Sequence, residues 1–518
     1  MQTRIPLATL SLALAIPLSS CAAPAALQWT ACPGDMTGSF PDLAHRLQCA
    51  TLAVPMDHQA PDQGTINIAV TRVSAGSPKQ RQGILVTAPG GPGGPAGIFT
   101  AELANEWEEG ESPELQRIAE QFDLIGITPR GVDDNGRSTA LICQSQQLQR
   151  PYNNISDDLS TANTRAIAAH ASATAQACLD QPLTPYITSE QTARDIDLVR
   201  QLLGEETLSY WGESYGTELG YWYAGLFPQR VNRMILDSSV DWTQDLYRTF
   251  FTTSDSRQEI FDRFVVDAAV AEPARYGLGE TAREVKQRFA DLPSRYREIV
   301  RVAYHAPEAL MAAEFLHAAR LEQPDSTLDQ LWQLIEAHRF SVDEDVHSEA
   351  VRIAMEAAPD LYLSPAPPAP VKLSNGESMK WTVACQNTAP IPSPGEWVEM
   401  AREWSQRNPV GSSADAYPIC AFWTQPSPPR PDTSRLNQLE NLVMIHAEFD
   451  GQTPRQGAFN AFANVPAASM IHAQGVQAHG FMGGGISECV DELAGAFMAD
   501  GVKPQRWAVC GTATQRSR

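Results

Sequence analysis

Short apolar runs alternate with amphipathic segments from about residue 65 to 240. "INIAVTRV" (66–73), "GILVTAP" (83–89), "FDLIGITP" (122–129), "LSYWG" (208–212) and "VNRMILDSS" (231–239) are rich in β-branched and aromatic residues and predict strands. Between them apolar positions recur at helical spacing. In "TARDIDLVRQLLG", Ile196, Val199, Leu202 and Leu203 share one face, and Gly204 suits a helix stop. Strands alternating with helices imply a mostly parallel sheet covered on both faces.

The pattern changes after residue 241. Residues 254–358 read almost entirely as helix, in "RQEIFDRFVVDAAVAE", "PEALMAAEFLHAARLE", "TLDQLWQLIEAH" and "VHSEAVRIAMEAA". "SPAPPAP" (364–370) cannot continue a helix. A further irregular stretch runs from 423 to 434. Strand character returns in "NLVMIHAEFD" (441–450) and "ASMIHAQG" (468–475). The expected organisation is an α/β core over 28–240, a mainly helical insertion over 241–435 and a returning core segment over 436–518. The insertion falls between the sixth and seventh core strands and is expected to cover one edge of the sheet as a cap.

The 518 residues carry a net charge of -23. Such a surface repels phosphate backbones and argues against a nucleic-acid partner. The first 21 residues stand apart from the fold. Arg4 precedes an apolar run, Ile5 to Leu18, that is too short to span a bilayer. It ends in "LSSC", which resembles a bacterial lipobox and makes Cys21 the expected lipidation site. Ordinary signal cleavage within "CAAPAAL" is the alternative. Ala22 is not the aspartate that retains lipoproteins at the inner membrane. In a Gram-negative host the anchor is then expected in the outer membrane, as the chain's sole attachment to a membrane.

Nine cysteines become eight once Cys21 is set aside. An even number in an exported chain suggests disulfides. Nearest-neighbour order predicts Cys32–Cys49, Cys143–Cys178, Cys385–Cys420 and Cys489–Cys510. Buried free thiols are the alternative. No C-x-x-C or histidine–cysteine cluster points to zinc, and no metal or cofactor is expected.

"YWGESYGTE" (210–218) holds the candidate chemistry. A serine hydroxyl needs a positioned base, a group to orient that base, and donors for an oxyanion. "LSYW" as strand, "GESYG" as turn and "TELGYWYAGLF" as helix would hold Ser214 exposed at a sharp bend. "TAPGGPGGPAG" (87–97) brings bare backbone N–H groups close to a substrate. No Lys-Ser/Thr follows those glycines, as a phosphate loop would require. The expected oxyanion donors are the N–H groups of Gly91 and Tyr215. In chain order, Asp450 at a strand end supplies the orienting acid, with Asp237 as its rival. His479, in a loop beyond the predicted 468–475 strand, supplies the base. His446 and His472 lie inside predicted strands and read as packing residues.

These stretches together resemble the α/β-hydrolase family of secreted bacterial tripeptidyl aminopeptidases, related to proline iminopeptidases. The resemblance runs through "LQCATLAVPMDHQAP", "APGGPGGPAG", "FDLIGITPRGVDDNGRST" and "GESYGTELGYWYAGLFPQRVNRMILD". It continues in "AEFDGQTP", "AHGF" and "GVKPQRWAVC". It implies an α/β-hydrolase fold, a triad of Ser214, Asp450 and His479, and a peptide substrate cleaved from its free N-terminus. Ala88 and Pro95 depart from the family's usual "NPGGPGGSG", and "GVDDNGRST" is longer than its "GVGRST".

Glu213 has two readings: a partner for a peptide terminus, or a carboxylate bracing the turn. "GESY" also occurs in serine carboxypeptidases, which match the rest of the chain less well. Other rivals are a carboxylesterase using the same triad and a non-catalytic surface binding protein. The cap is rich in acids that could meet a substrate ammonium, including Glu259, Asp262, Glu314, Glu349 and Glu356. Most belong to solvated helix faces.

Overall fold

The computed structural model describes residues 27–145, 158–362, 371–388, 393–411 and 418–511. The leader with Cys21 and the proline-rich 364–370 lie outside these residues. Among the described residues no helix is long and apolar enough to cross a membrane.

A ten-stranded sheet organises the chain, in the order 30–31, 47–55, 65–73, 122–127, 83–88, 208–213, 231–237, 442–449, 469–477, 507–510. The strand Phe122–Ile127 is antiparallel to Thr65–Val73, which is antiparallel to Leu47–Pro55. From Phe122–Ile127 onward every pairing is parallel. The seven predicted strands all form. Three more strands of this sheet were not foreseen, Thr30–Ala31, Leu47–Pro55 and Trp507–Cys510, nor was the separate short pair Gln144–Ser145 and Val371–Lys372. Thr30–Ala31 and Trp507–Cys510 are too short to show a period. Leu47–Pro55 interleaves Gln48, Thr51 and small residues with its apolar ones, which blurs the alternation.

The central strands are buried on both faces, and their alternation sorts residues into two cores. Ile84, Val86, Tyr210, Met234, Leu236, Leu442 and Met444 join one apolar cluster, which helices 189–202 and 215–226 cover. Leu85, Trp211, Ile235, Val443 and Ile445 join the other, beneath helices 96–109, 113–121 and 488–500. Six strands longer than two residues precede the long helical excursion, and Leu442–Phe449 follows it as the seventh.

Between Asp237 and Leu442 the described residues are largely helical and bury apolar clusters of their own. Helix Thr161–Leu179, from before Ser214 in the chain, packs into a cluster with Tyr247, Phe251, Trp381 and Trp397. The paired cysteines are Cys32–Cys49, Cys143–Cys178, Cys385–Cys420 and Cys489–Cys510. The Cys489–Cys510 bridge ties the last strand to helix 488–500.

One buried charge cluster locks the loops at the sheet's C-terminal edge. Arg130 is fully buried and donates to both Asp195 oxygens, at 2.8 and 2.6 Å, and to the carbonyl of Met56 at 2.8 Å. His58 Nε2 lies 2.7 Å from the same carboxylate. The loops at 56–58 and 129–131 are thereby pinned to helix 189–202.

Candidate active site

Ser214 stands between the strand Leu208–Glu213 and the helix Tyr215–Leu226, with φ 56° and ψ -122°. A non-glycine residue held there costs about 1–3 kcal/mol, and such strain concentrates at functional sites. The strain is held by bonds around the turn. Ser214 N–H donates to the Asp237 carbonyl at 3.0 Å, and Tyr210 O–H donates to the Gly216 carbonyl at 2.6 Å. A Cβ on Gly216 would lie 2.3 Å from the Ala88 carbonyl oxygen, so only glycine lets the turn rest on the end of strand 83–88. That approach brings the glycine-rich loop to the serine. Gly91, Gly93 and Gly94 line the same cavity as Ser214 and Tyr215. Tyr215 is the first helical residue, so its N–H has no acceptor within the helix.

Asp450 follows the end of strand 442–449 and is fully buried. Its Oδ1 accepts from Gln452 N–H at 2.8 Å and Thr453 N–H at 2.9 Å, and its Oδ2 accepts from Thr453 Oγ1 at 2.8 Å. His479 Nδ1 sits 3.0 and 2.9 Å from the two carboxylate oxygens. Burial alone would raise the Asp450 carboxyl. The charge and hydrogen bond of His479 outweigh it and hold the group at about 2. Burial likewise works to lower His479, but Asp450, with Glu213 and Asp237 further off, raises it above its ordinary value. Thr453, which sequence reading did not single out, touches both partners: its Oγ1 is also 3.4 Å from His479 Nδ1. Its place within "DGQTP", three residues after the acid, was the available signal.

Asp237 does not approach the imidazole in this way. Its Oδ2 accepts from Phe481 N–H at 2.8 Å, and Ser238 Oγ accepts from Gly480 N–H at 2.8 Å. The end of strand 231–237 thus carries the backbone just after His479. Glu213 pairs in register with Asp237 across the two strands. A Cβ on Gly480 would lie 2.3 Å from Glu213 Oε2, so that carboxylate packs against the histidine loop. Burial, and then the neighbouring Glu213 charge, push Asp237 well above the ordinary carboxylate range. Burial also raises Glu213.

His446 is fully buried, and burial lowers it to about 4, so it packs as a neutral ring. His472 packs against Phe459 and Trp507.

The cavity before Ser214 measures about 370 Å³. Helix 246–260 lines it with Leu246, Thr249, Phe250, Thr253 and Arg257, and helix 375–386 adds Glu377 and Lys380. Glu213 is not among its lining residues. Nor are the five cap acids singled out from sequence. Glu259 meets Arg455 at 3.1 Å, Asp262 meets Lys286 at 2.9 Å, Glu314 meets Arg288 at 3.0 Å, and Glu349 and Glu356 both meet Arg352. Among the described residues no group of three or more His, Cys, Asp or Glu side chains is arranged to hold a metal ion.

The family model for the α/β hydrolase fold matches residues 83–322, and the model for TAP-like protein matches residues 408–510. The chain has the α/β hydrolase fold. A tripeptidyl aminopeptidase of Streptomyces lividans is 28% identical over 94% of this chain and 87% of its own. Serine protease Hip1 of Mycobacterium tuberculosis is 27% identical over 89% of this chain and 87% of its own. Carboxylesterase B of Mycobacterium tuberculosis is 28% identical over 88% of this chain and 85% of its own. Within this fold, the glycine loop, the strained serine and the Asp450–His479 pair all stand at the C-terminal ends of parallel strands, where the fold places its ligands.

Proposed function

We propose that this chain is an exported serine aminopeptidase, releasing short peptides or single residues from the free N-terminus of peptides. The carrying observation is that His479 Nδ1 is held between both oxygens of a buried Asp450, while a strained Ser214 lines a substrate-sized cavity together with Thr453, the residue that donates to Asp450. Ser214 Oγ attacks the carbonyl carbon, and its proton passes to His479 Nε2. Asp450 fixes the Nδ1–H tautomer and stabilises the imidazolium. The N–H groups of Gly91 and Tyr215 receive the oxyanion. The C–N bond then breaks as His479 returns the proton to the leaving amine. Water, deprotonated by His479, releases the acyl group.

The assignment of 28–240 and 436–518 as core and 241–435 as cap belongs to this reading, as does lipidation at Cys21. Four disulfides favour an oxidising compartment. The packing of Glu213 against Gly480 favours its bracing role over contact with a peptide terminus. Ester hydrolysis by the same groups is the second reading, favoured by the likeness to carboxylesterase B.

The test is hydrolysis of Pro-, Ala-Ala-Pro- and Ala-anilides, with free and blocked amines, and of a short-chain phenyl ester, by wild type and Ser214→Ala. Cleavage of a free-amine anilide, lost on blocking and in the variant, is the expected result. Cleavage of the ester alone would select the carboxylesterase.

A further inference from the structure

Two buried carboxylic acids lie beneath the histidine loop, and the proposed triad uses neither. Glu213 and Asp237 are register partners at the C-terminal ends of adjacent parallel strands. Alternation turns both to the face that carries Trp211 and Ile235, and adjacent strands lie about 4.8 Å apart, so the two side chains are neighbours. Both reach the backbone that follows His479. Asp237 Oδ2 accepts from Phe481 N–H at 2.8 Å, and the Glu213 carboxylate packs against Gly480. Asp237 Oδ1 is buried with no hydrogen bond of ordinary geometry, although the Trp211 indole beside it favours the charged form.

Two like charges side by side in such a place repel strongly. Burial, and next the Glu213 charge, push Asp237 well above its ordinary range, over the pull of Phe481 N–H, Trp211 and His479. Burial, with Asp450 and Glu106, raises Glu213 against the pull of His479. The other groups around the loop do not relieve the pair. Asp450 and Glu106 carry the same sign, Asp491 takes Gly485 N–H at 2.7 Å, and His446 is a neutral buried ring. The His479 imidazole attracts both acids, but its Nδ1 is committed to Asp450. A protonated carboxyl, by contrast, can donate to an ionised neighbour.

We propose that Glu213 and Asp237 are positioning residues that hold one proton between them, and that this proton keeps the backbone after His479 seated on the two strand ends. The inference rests on the reading of His479 as the base. With the proton in place the pair carries a single negative charge. Asp237 Oδ1–H donates to Glu213, and Oδ2 stays free to accept from Phe481 N–H. When the proton leaves to solvent the pair carries two charges. The sheet's hydrogen bonds fix the strands, so the side chains part, and Gly480 and Phe481 lose their seat. The consequence is an alkaline limit on turnover set by this pair and not by the imidazole.

Two readouts on the full-length protein test this. Infrared difference spectra against Asp237→Asn read the carbonyl stretch of the protonated carboxyl, free of other raised acids such as Glu308. Over the same pH range kcat/KM is measured for a short-chain phenyl ester, which has no amine to titrate. Wild type should show the band at neutral pH and lose it in alkali, with kcat/KM falling about tenfold as it goes. Glu213→Gln removes the like charge, so its band should vanish at a pH lower by more than about one unit. Neither variant should show the alkaline fall, since neither pair can hold two charges. Absence of the band from wild type at neutral pH overturns the proposal. A band that titrates alike in wild type and Glu213→Gln also overturns it, by leaving the proton to Asp237 alone. So does an alkaline fall that persists in both variants. If Asp237→Asn fails to fold, the wild-type band against its own alkaline spectrum and against Glu213→Gln decides. Failure of a serine-directed phosphonate to label wild type at Ser214 would remove the catalytic reading while leaving the infrared result intact.

Discussion

Replacing Asp450 by asparagine changes one atom and reverses the polarity of one contact. In the native site Oδ1 takes two backbone N–H groups, from Gln452 and Thr453, Oδ2 takes Thr453 Oγ1, and His479 Nδ1 lies 3.0 Å from Oδ1 and 2.9 Å from Oδ2. An asparagine must keep its oxygen towards the two backbone donors. Its NH₂ then points at His479 Nδ1 and donates to it, which leaves the ring proton on Nε2. A histidine in that tautomer cannot take the Ser214 proton. The expected loss in kcat is about four orders of magnitude. The variant also forfeits a stability term. Lowering the Asp450 carboxyl from 3.8 to about 2 corresponds to about 2 kcal/mol. Because the folded-state value is depressed, that stabilisation is present above 3.8 and lost as pH falls through about 2. Wild type should therefore exceed Asp450→Asn by about 2 kcal/mol at neutral pH, and the gap should close in acid. The assay is steady-state ester hydrolysis at pH above the His479 titration, with denaturant unfolding across the acid range. Activity within about tenfold of wild type would refute the argument and pass the orienting role to Asp237.

Other substitutions probe neighbouring parts of the structure. Glu213→Gln removes a charge that helps raise His479, so the acid limb of kcat/KM should move to lower pH; an unmoved limb would deny any electrostatic reach to Glu213. Arg130→Met leaves the buried Asp195 carboxylate with His58 alone and should cost about 3–5 kcal/mol in unfolding free energy, and a loss below about 1 kcal/mol would contradict the pinning role. Joint Cys489→Ser and Cys510→Ser substitution opens a loop of sequence separation 21 and should cost about 3 kcal/mol, read by thermal unfolding against wild type with and without reductant.

The core was legible because its physics is local. A strand buried on both faces reads as an apolar run, and Gly83–Ala88 and Phe122–Ile127 are buried throughout. The Ser214 turn was legible because glycine at 212 and 216 is demanded by close backbone approach. The strand order places Asp450 and His479 beside that turn, and their chain order alone pointed the same way. The cavity wall was not legible. Phe250, Arg257, Glu377 and Lys380 sit on ordinary amphipathic helices, and only the packing of two helices far apart in sequence turns them towards one space. The acids of the helical insertion could not be sorted for the same reason: a helical acid looks alike in sequence whether it meets a substrate or, as Glu349 and Glu356 do, Arg352.

Helix 246–260 is fastened at its far end to the loop bearing Asp450. Ser256 Oγ donates to the Asp450 carbonyl, and Arg257 to that of Gly451. The segment that shapes the pocket is therefore also a strut of the machinery that turns over. A graft that replaced this helix to change selectivity would carry its own disturbance into the acid. Selectivity and speed in this enzyme cannot be engineered as independent modules; they share two hydrogen bonds.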